Sequence, residues 1–247
     1  MPIVLAADTS TAVNTVAVCE RPSGSAFPVL LAETSAHSPR RHAERLLATV
    51  GFVLDEAQLE LTHVDALAIA IGPGSFTGLR IGAATWKGLA LALGLPLAPI
   101  PTLNAMARQF APCQGMVCPM LDARMKEVYA AAFRHEGDTR NKVLEDAVCP
   151  AARFLETVSE QRLENEPLLF VGEGATGCAP EILQAFPDAQ LHPAIPRASA
   201  VAGEAFDWLE AGRPTDAASV SPVYLRASQA ETNKLRAARQ AGGETGP

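Results

Sequence analysis

Two stretches of this chain carry the same pattern. Leu67-Ala-Ile-Ala-Ile-Gly72-Pro-Gly74-Ser-Phe-Thr-Gly78 and Leu168-Leu-Phe-Val-Gly172-Glu-Gly174-Ala-Thr-Gly177 each read as an apolar strand, a Gly-x-Gly turn and a helix start. Their first glycines are 100 residues apart. Upstream of each lies a strand that stops at aspartate. Ile3 to Ala7 precedes Asp8, and Val117 to Leu121 precedes Asp122, 114 residues later. A turn and a returning strand follow each aspartate, Thr15 to Cys19 in the first case and Glu127 to Phe133 in the second. A chain that repeats strand, Asp, hairpin, strand, Gly-x-Gly and helix has few ways to fold. Each unit forms a mixed sheet with helices against it, and two units make two lobes.

That pattern is the duplicated α/β plan of actin-like (ribonuclease H-like) proteins, with mixed sheets flanked by helices. It places a first lobe at 1–108, a second at 109–226 and a partly disordered tail at 227–247. Pro112 and Gly115 loosen the chain at the lobe boundary. Within the first lobe, Pro28 to Glu33 reads as a third strand. Ser38-Pro39 is a helix start, and Ala43, Leu46, Leu47, Val50, Val53, Leu54 and Ala57 then recur at helical spacing. A second helix runs from Ser75 to Leu93. Gly94 stops it and Pro96 forbids its continuation. Leu97 to Ile100 is a short strand, and a further helix starts at Thr102.

Charge narrows the function classes. The chain of 247 residues has 20 basic and 27 acidic side chains, a net of −7. Residues 106–225 hold 10 basic and 17 acidic residues, and 226–247 hold 4 and 2. A strongly basic nucleic-acid binder is disfavoured, because phosphate binding concentrates Lys and Arg. No apolar run reaches the ~18–20 residues of a membrane helix. The nearest, Gly88 to Ile100, is broken by Gly94, Pro96 and Pro99. The N-terminus lacks the basic and long apolar regions of a signal peptide. Five scattered cysteines without a C-x-x-C fit a reducing cytosol.

Familiar chemical motifs are missing. Gly78 is followed by Leu79 and Arg80, where a P-loop needs Lys and Ser or Thr. Gly74 to Gly78 is one residue too long for a dinucleotide fingerprint. His37 and His42 are five apart, which does not put a metal pair on one helix face. Ser75 directly follows a glycine, unlike a nucleophile elbow. Asp8 is a weak candidate for holding a metal–phosphate complex, and otherwise an Asx turn. Its counterpart Asp122 lacks the following glycines that wrap a phosphate. Gly78 and Gly82 lie four apart on one helix face, each costing about 0.8–1.0 kcal/mol against alanine. The spacing implies that another backbone approaches there, from this chain or a partner, with Ala92 extending the small-residue face. Leu79, Ala83, Trp86, Ala90 and Leu93 form the larger, core-facing side. The residues alone leave open a binding scaffold, an actin-like small-molecule kinase or ATPase, and a metallopeptidase of M22 type.

A resemblance covers nearly the whole chain. Leu5-Ala-Ala-Asp8-Thr-Ser10, His42-Ala-Glu-Arg-Leu-Leu47, Gly72-Pro-Gly-Ser-Phe-Thr-Gly-Leu-Arg-Ile-Gly82, Lys87-Gly-Leu-Ala-Leu-Ala92, Leu121-Asp-Ala-Arg-Met-Lys-Glu-Val-Tyr129 and Pro222-Val-Tyr-Leu-Arg226 resemble the bacterial TsaB (YeaZ) family. Ala7 before Asp8, where isoleucine is usual, is a small departure. The resemblance implies a non-catalytic scaffold in tRNA threonylcarbamoyladenosine biosynthesis. Its catalytic paralogue TsaD carries a metal-binding histidine pair and modifies adenosine 37 of tRNA. The implied partners are TsaD and the ATPase TsaE, with a homodimer in isolation and tRNA met only through the complex. The implied interface lies on the helices at 39–57 and 75–93, at His42, Leu46, Ser75, Gly78, Leu79, Arg80, Gly82 and Thr85. No cofactor is implied for the chain alone, with ATP or ADP at the subunit interface. A cytoplasmic protein without membrane contact follows. The family's older glycoprotease-like label has no catalytic residue behind it here.

Overall fold

The computed structural model describes residues 1–25, 27–37, 42–137, 139–213 and 216–226, with side chains at 42–44 outside that description. The helix start expected at Ser38-Pro39 and the tail at 227–247 lie outside the described residues. Strands β1 (Ile3–Asp8), β2 (Val13–Glu20) and β3 (Val29–His37) form an antiparallel meander. Strand β4 (Ala66–Gly72) returns parallel to β1, and β5 (Leu97–Pro101) lies parallel to β4. The sheet order is β3-β2-β1-β4-β5. Helix α1 (His42–Glu56) precedes β4, α2 (Phe76–Leu93) joins β4 to β5, and α3 (Thr102–Arg108) follows.

The second half repeats this strand for strand. Strands β6 (Cys113–Asp122), β7 (Glu127–Gly137) and β8 (Thr139–Pro150) form the meander, while β9 (Leu168–Val171) is parallel to β6 and β10 (Gln190–His192) to β9. The order is β10-β9-β6-β7-β8. Helix α4 (Ala151–Gln161) precedes β9, and the short α5 (Glu173–Gly177) and α6 (Ala179–Ala185) follow it. The chain has the duplicated actin-like fold. Both Gly-x-Gly turns are built alike. Gly72 (φ +116°) and Gly172 (φ +103°) take a left-handed conformation, and a Cβ on either would come within 2.6 Å of a backbone carbonyl.

The last helix, α7 (Ala198–Glu210), departs from the expected boundaries. It follows β10 yet packs on the first sheet. Side chains alternate along a strand, so Val4 and Ala6 face α7 while Leu5 and Ala7 face α1 and α2. The α7 side is alanine-rich: Ala6, Ala17, Ala66, Ala68 and Ala70 meet Ala198, Ala202 and Ala205. Small residues on both surfaces let the helix lie close to the sheet. Residues 216–226 also run over the first lobe, with Ala217 and Val220 in the α1–α2 core. The expected second lobe of 109–226 thus divides by packing: the β6–β10 sheet is its body, whereas 198–213 and 216–226 lie against the first lobe. Helix α3 sits between the sheets, with Leu103, Met106 and Ala107 packed against Val117, Phe133 and Val171.

Candidate functional site

Asp8 ends β1 and is wholly buried. Ser10 donates to its Oδ1 from both backbone N–H (2.8 Å) and Oγ (2.6 Å), while Oδ2 has no hydrogen-bond partner. Burial pushes the carboxyl up to about 6, against the opposing pull of the Ser10 donors. The β4–α2 loop closes over this turn. The Ser75 N–H donates to the Ser10 carbonyl at 2.6 Å, and Thr9 Oγ1 donates to the Gly78 carbonyl at 2.8 Å. A Cβ at Gly74 would lie 2.4 Å from the Ser10 carbonyl oxygen. Loop backbone thus packs directly against the turn that follows Asp8. The residues around Asp8, as they lie, do not fit a metal–phosphate complex. Asp122, at the matching place, is half-exposed and accepts the Arg124 N–H at 2.8 Å.

The glycines of α2 take the first of the two alternatives that their spacing leaves open, close approach within this chain. A Cβ at Gly78 would lie 2.0 Å from the Thr9 carbonyl oxygen, and one at Gly82 would lie 2.3 Å from Thr9 Oγ1. The approaching backbone is the β1–β2 turn of the same lobe, so a partner helix cannot reach this face. Leu46 and Leu79 are core residues, 1% and 0% exposed. Thr85 is half-buried and its Oγ1 donates to the Ile81 carbonyl. Ser75 is exposed and caps α2, its Oγ accepting the Gly78 N–H at 3.3 Å. Arg80 is exposed, with its guanidinium 3.9 Å from the Phe76 ring centroid and its Nε donating to the Tyr224 hydroxyl at 3.0 Å. His42 opens α1, and its side chain is outside the described residues.

The open small-residue face lies elsewhere on the same helices. On α2, Ala84, Gly88, Leu91 and Ala92 are exposed; on α1, which packs beside it, Leu47, Ala48, Gly51 and Phe52 are exposed. Leu47, Phe52 and Leu91 are 56%, 53% and 67% accessible. A Cβ at Gly51 or Gly88 would meet nothing within 4 Å. Here two helices present apolar anchors around glycines that allow close approach. The sequence signal was present in the four-residue spacing of Ala84, Gly88 and Ala92. Because α2 is apolar around most of its circumference, spacing alone did not say which side faces out.

Comparisons with known proteins agree with this architecture. The family described as "TsaD: tRNA N6-adenosine threonylcarbamoyltransferase" matches residues 30–233. A Haemophilus influenzae protein, "tRNA threonylcarbamoyladenosine biosynthesis protein TsaB", is 35% identical over 183 residues, 69% of this chain and 72% of that protein. The Bacillus subtilis protein of the same description is 28% identical over 143 residues, 58% of this chain. That match spans 61% of the B. subtilis protein, less than two thirds of its length. The solved structure of "YeaZ from Pseudomonas aeruginosa" superposes with a TM-score of 0.74 at 29% identity, covering 91% of this chain and all of that one. Among the described residues, no helix is long and apolar enough to cross a membrane.

Proposed function

Since the chain belongs to the TsaB (YeaZ) family, we propose that it works as a non-catalytic subunit in tRNA threonylcarbamoyladenosine biosynthesis. Its mechanism is binding. The exposed α1–α2 face docks the corresponding helices of the paralogue TsaD and stabilises it, and the pair recruits TsaE. In isolation the same face pairs two copies of this chain. The observation that carries this reading is the open face around Gly51 and Gly88, with Leu47, Phe52 and Leu91 in solvent. Buried aliphatic and aromatic anchors supply most of the energy of such contacts.

Two further parts of the reading rest on this chain's own chemistry. We propose that it transfers no group itself and holds no nucleotide alone, so that any ATP or ADP is held at the boundary with TsaD. The sealed turn at Asp8 supports this. The net charge of −7 supports tRNA contact through the complex rather than directly. Five free cysteines support a cytoplasmic location.

The test is co-purification with TsaD from the same organism. Wild-type chain should bring TsaD down. Leu91→Asp combined with Phe52→Asp should abolish the complex while leaving the thermal midpoint within a few degrees, since both positions are solvent-exposed. A complex that survives the double substitution would refute the assignment of this face.

A further inference from the structure

Residues 216–226 form a strap that touches both lobes. Along α2, Lys87 Nζ donates to the carbonyls of Ala218 (3.0 Å) and Val220 (2.9 Å). The Val223 N–H donates to the Ile71 carbonyl at 2.7 Å, and the Val223 carbonyl sits where Gly72 has no side chain. Tyr224 stacks on Phe76 at 4.9 Å and accepts from Arg80. Two residues later the strap reaches the other lobe. Arg226 donates to the Ala123 carbonyl at 3.1 Å and to Glu127 Oε2, on either side of the β6–β7 turn.

That turn is strained. Arg124, Met125 and Lys126 have φ of 65°, 55° and 62°, three consecutive non-glycine residues in the left-handed region. Left-handed backbone is unfavourable for residues with a Cβ, and such geometry persists only where its surroundings hold it. Inside the turn are the Ala123 N–H to Glu127 carbonyl bond, the Glu127 N–H to Arg124 carbonyl bond and the Asp122–Arg124 contacts. The Arg226 guanidinium adds two bonds from the strap.

A second clamp joins the lobes far from this one. Arg140, on β8, donates to Glu204 Oε1 of α7 at 2.6 Å and to the Asn104 carbonyl of α3 at 3.1 Å. Arg140 pairs across the ladder with His135, near one end of β7, whereas Glu127 is the first residue of that strand. Eight residues separate Glu127 from His135, about 27 Å of extended chain. The two clamps therefore grip opposite ends of one strand of the second sheet.

We propose that residues 216–226 are an interlobe latch: fastened along α2, the strap grips the β6–β7 turn through Arg226, fixing the angle between the lobes and holding the 124–126 turn in its left-handed form. Without it, the links that remain among the described residues are α3, the Arg140 clamp and the 193–197 crossover, where the Pro196 carbonyl accepts from Thr15 Oγ1 and Arg197 pairs with Glu33, and the second lobe moves about them.

The experiment uses the full chain with Arg226→Ala, Arg226→Lys and Tyr224→Ala, and Arg153→Ala as a control outside the strap. Trypsin cleavage after Arg124 and Lys126, amide exchange at Ala123 and Glu127, and energy transfer between dyes placed at Glu56 and Glu164 are measured. In Arg226→Ala, cleavage and exchange should rise at least tenfold and the interlobe distance distribution should broaden. Tyr224→Ala should follow, and Arg226→Lys should fall between. The control should match wild type. Turn cleavage, exchange and interlobe distances unchanged in both alanine variants would overturn the latch. A variant that loses its far-UV signal is set aside for Arg226→Lys, whose wild-type behaviour would overturn it equally.

Discussion

Thr9 and Gly78 meet so closely that no side chain fits between them. The Thr9 hydroxyl donates to the Gly78 carbonyl at 2.8 Å, while the Thr9 carbonyl oxygen lies 2.0 Å from where a Cβ at position 78 would begin. Both clashing partners are backbone in buried segments, so relief means moving the β1–β2 turn or the first turn of α2. Gly78→Ala should lower stability by about 2–3 kcal/mol, as overpacking does. Gly88→Ala, with nothing near its Cβ, should instead be neutral or gain up to about 1 kcal/mol from helix propensity. Urea denaturation of the two variants beside wild type checks the contrast. Equal effects would mean that the contact at Thr9 carries no packing cost.

The repeated strand–Asp and strand–Gly-x-Gly pattern suffices to give both sheets, because Asp8 and Asp122, and Gly72 and Gly172, mark strand ends. Three features were hidden. Thr139–Pro150 is an edge strand of mixed polar and apolar residues, with Arg140, Lys142, Glu145 and Asp146 in it, so its alternation is weak. Helix α7 has an apolar face, but a face does not name the sheet it will cover. Only the matching alanines of β1, β2 and β4 decide that, and no local rule connects them. Which of the two alternatives holds at Gly78 and Gly82, this chain's backbone or a partner's, was hidden for a related reason. A helix with two apolar faces buries the one that fits the turn beside it, and Thr9 is 69 residues away from Gly78.

Glu204 receives two guanidinium groups, Arg108 at 3.1 Å and Arg140 at 2.6 Å, and its side chain is 12% exposed. Removing the carboxylate leaves Arg140 with the Asn104 carbonyl and no carboxylate, and Arg108 with Asp207 alone, whereas removing Arg140 leaves Glu204 still paired with Arg108. Glu204→Leu should therefore cost more than Arg140→Leu. About 3 kcal/mol against about 1–2 kcal/mol is the scale for breaking such pairs. A double-mutant cycle by chemical denaturation should give a coupling energy of about 1 kcal/mol or more. Additive losses would show that the lobes do not communicate through this pair.

Two buried groups should tilt the pH profile of stability in opposite directions. Asp8 is held near 6 by burial, above its ordinary 3.8. Its contribution is complete below pH 3.8 and is lost as pH rises through 6, because the unfolded chain ionises first. His135 is 1% exposed and neither ring nitrogen has a hydrogen-bond partner. Burial, with the Arg140 charge added, lowers it from 6.5 to about 4. As a base held neutral, it contributes stability present above pH 6.5 and lost as pH falls through 4. Each shift is on the order of 3 kcal/mol across its window. Glu173, raised by burial, adds to the Asp8 trend, while Glu166 and Asp207, depressed by arginine partners, act below their ordinary range. Measured between pH 4 and 7 against wild type, Asp8→Asn should become relatively more stable as pH rises, and His135→Leu relatively less. Denaturation midpoints taken every half unit of pH test both signs at once. Parallel curves for wild type and either variant would show that the substituted group titrates as it does in the unfolded chain.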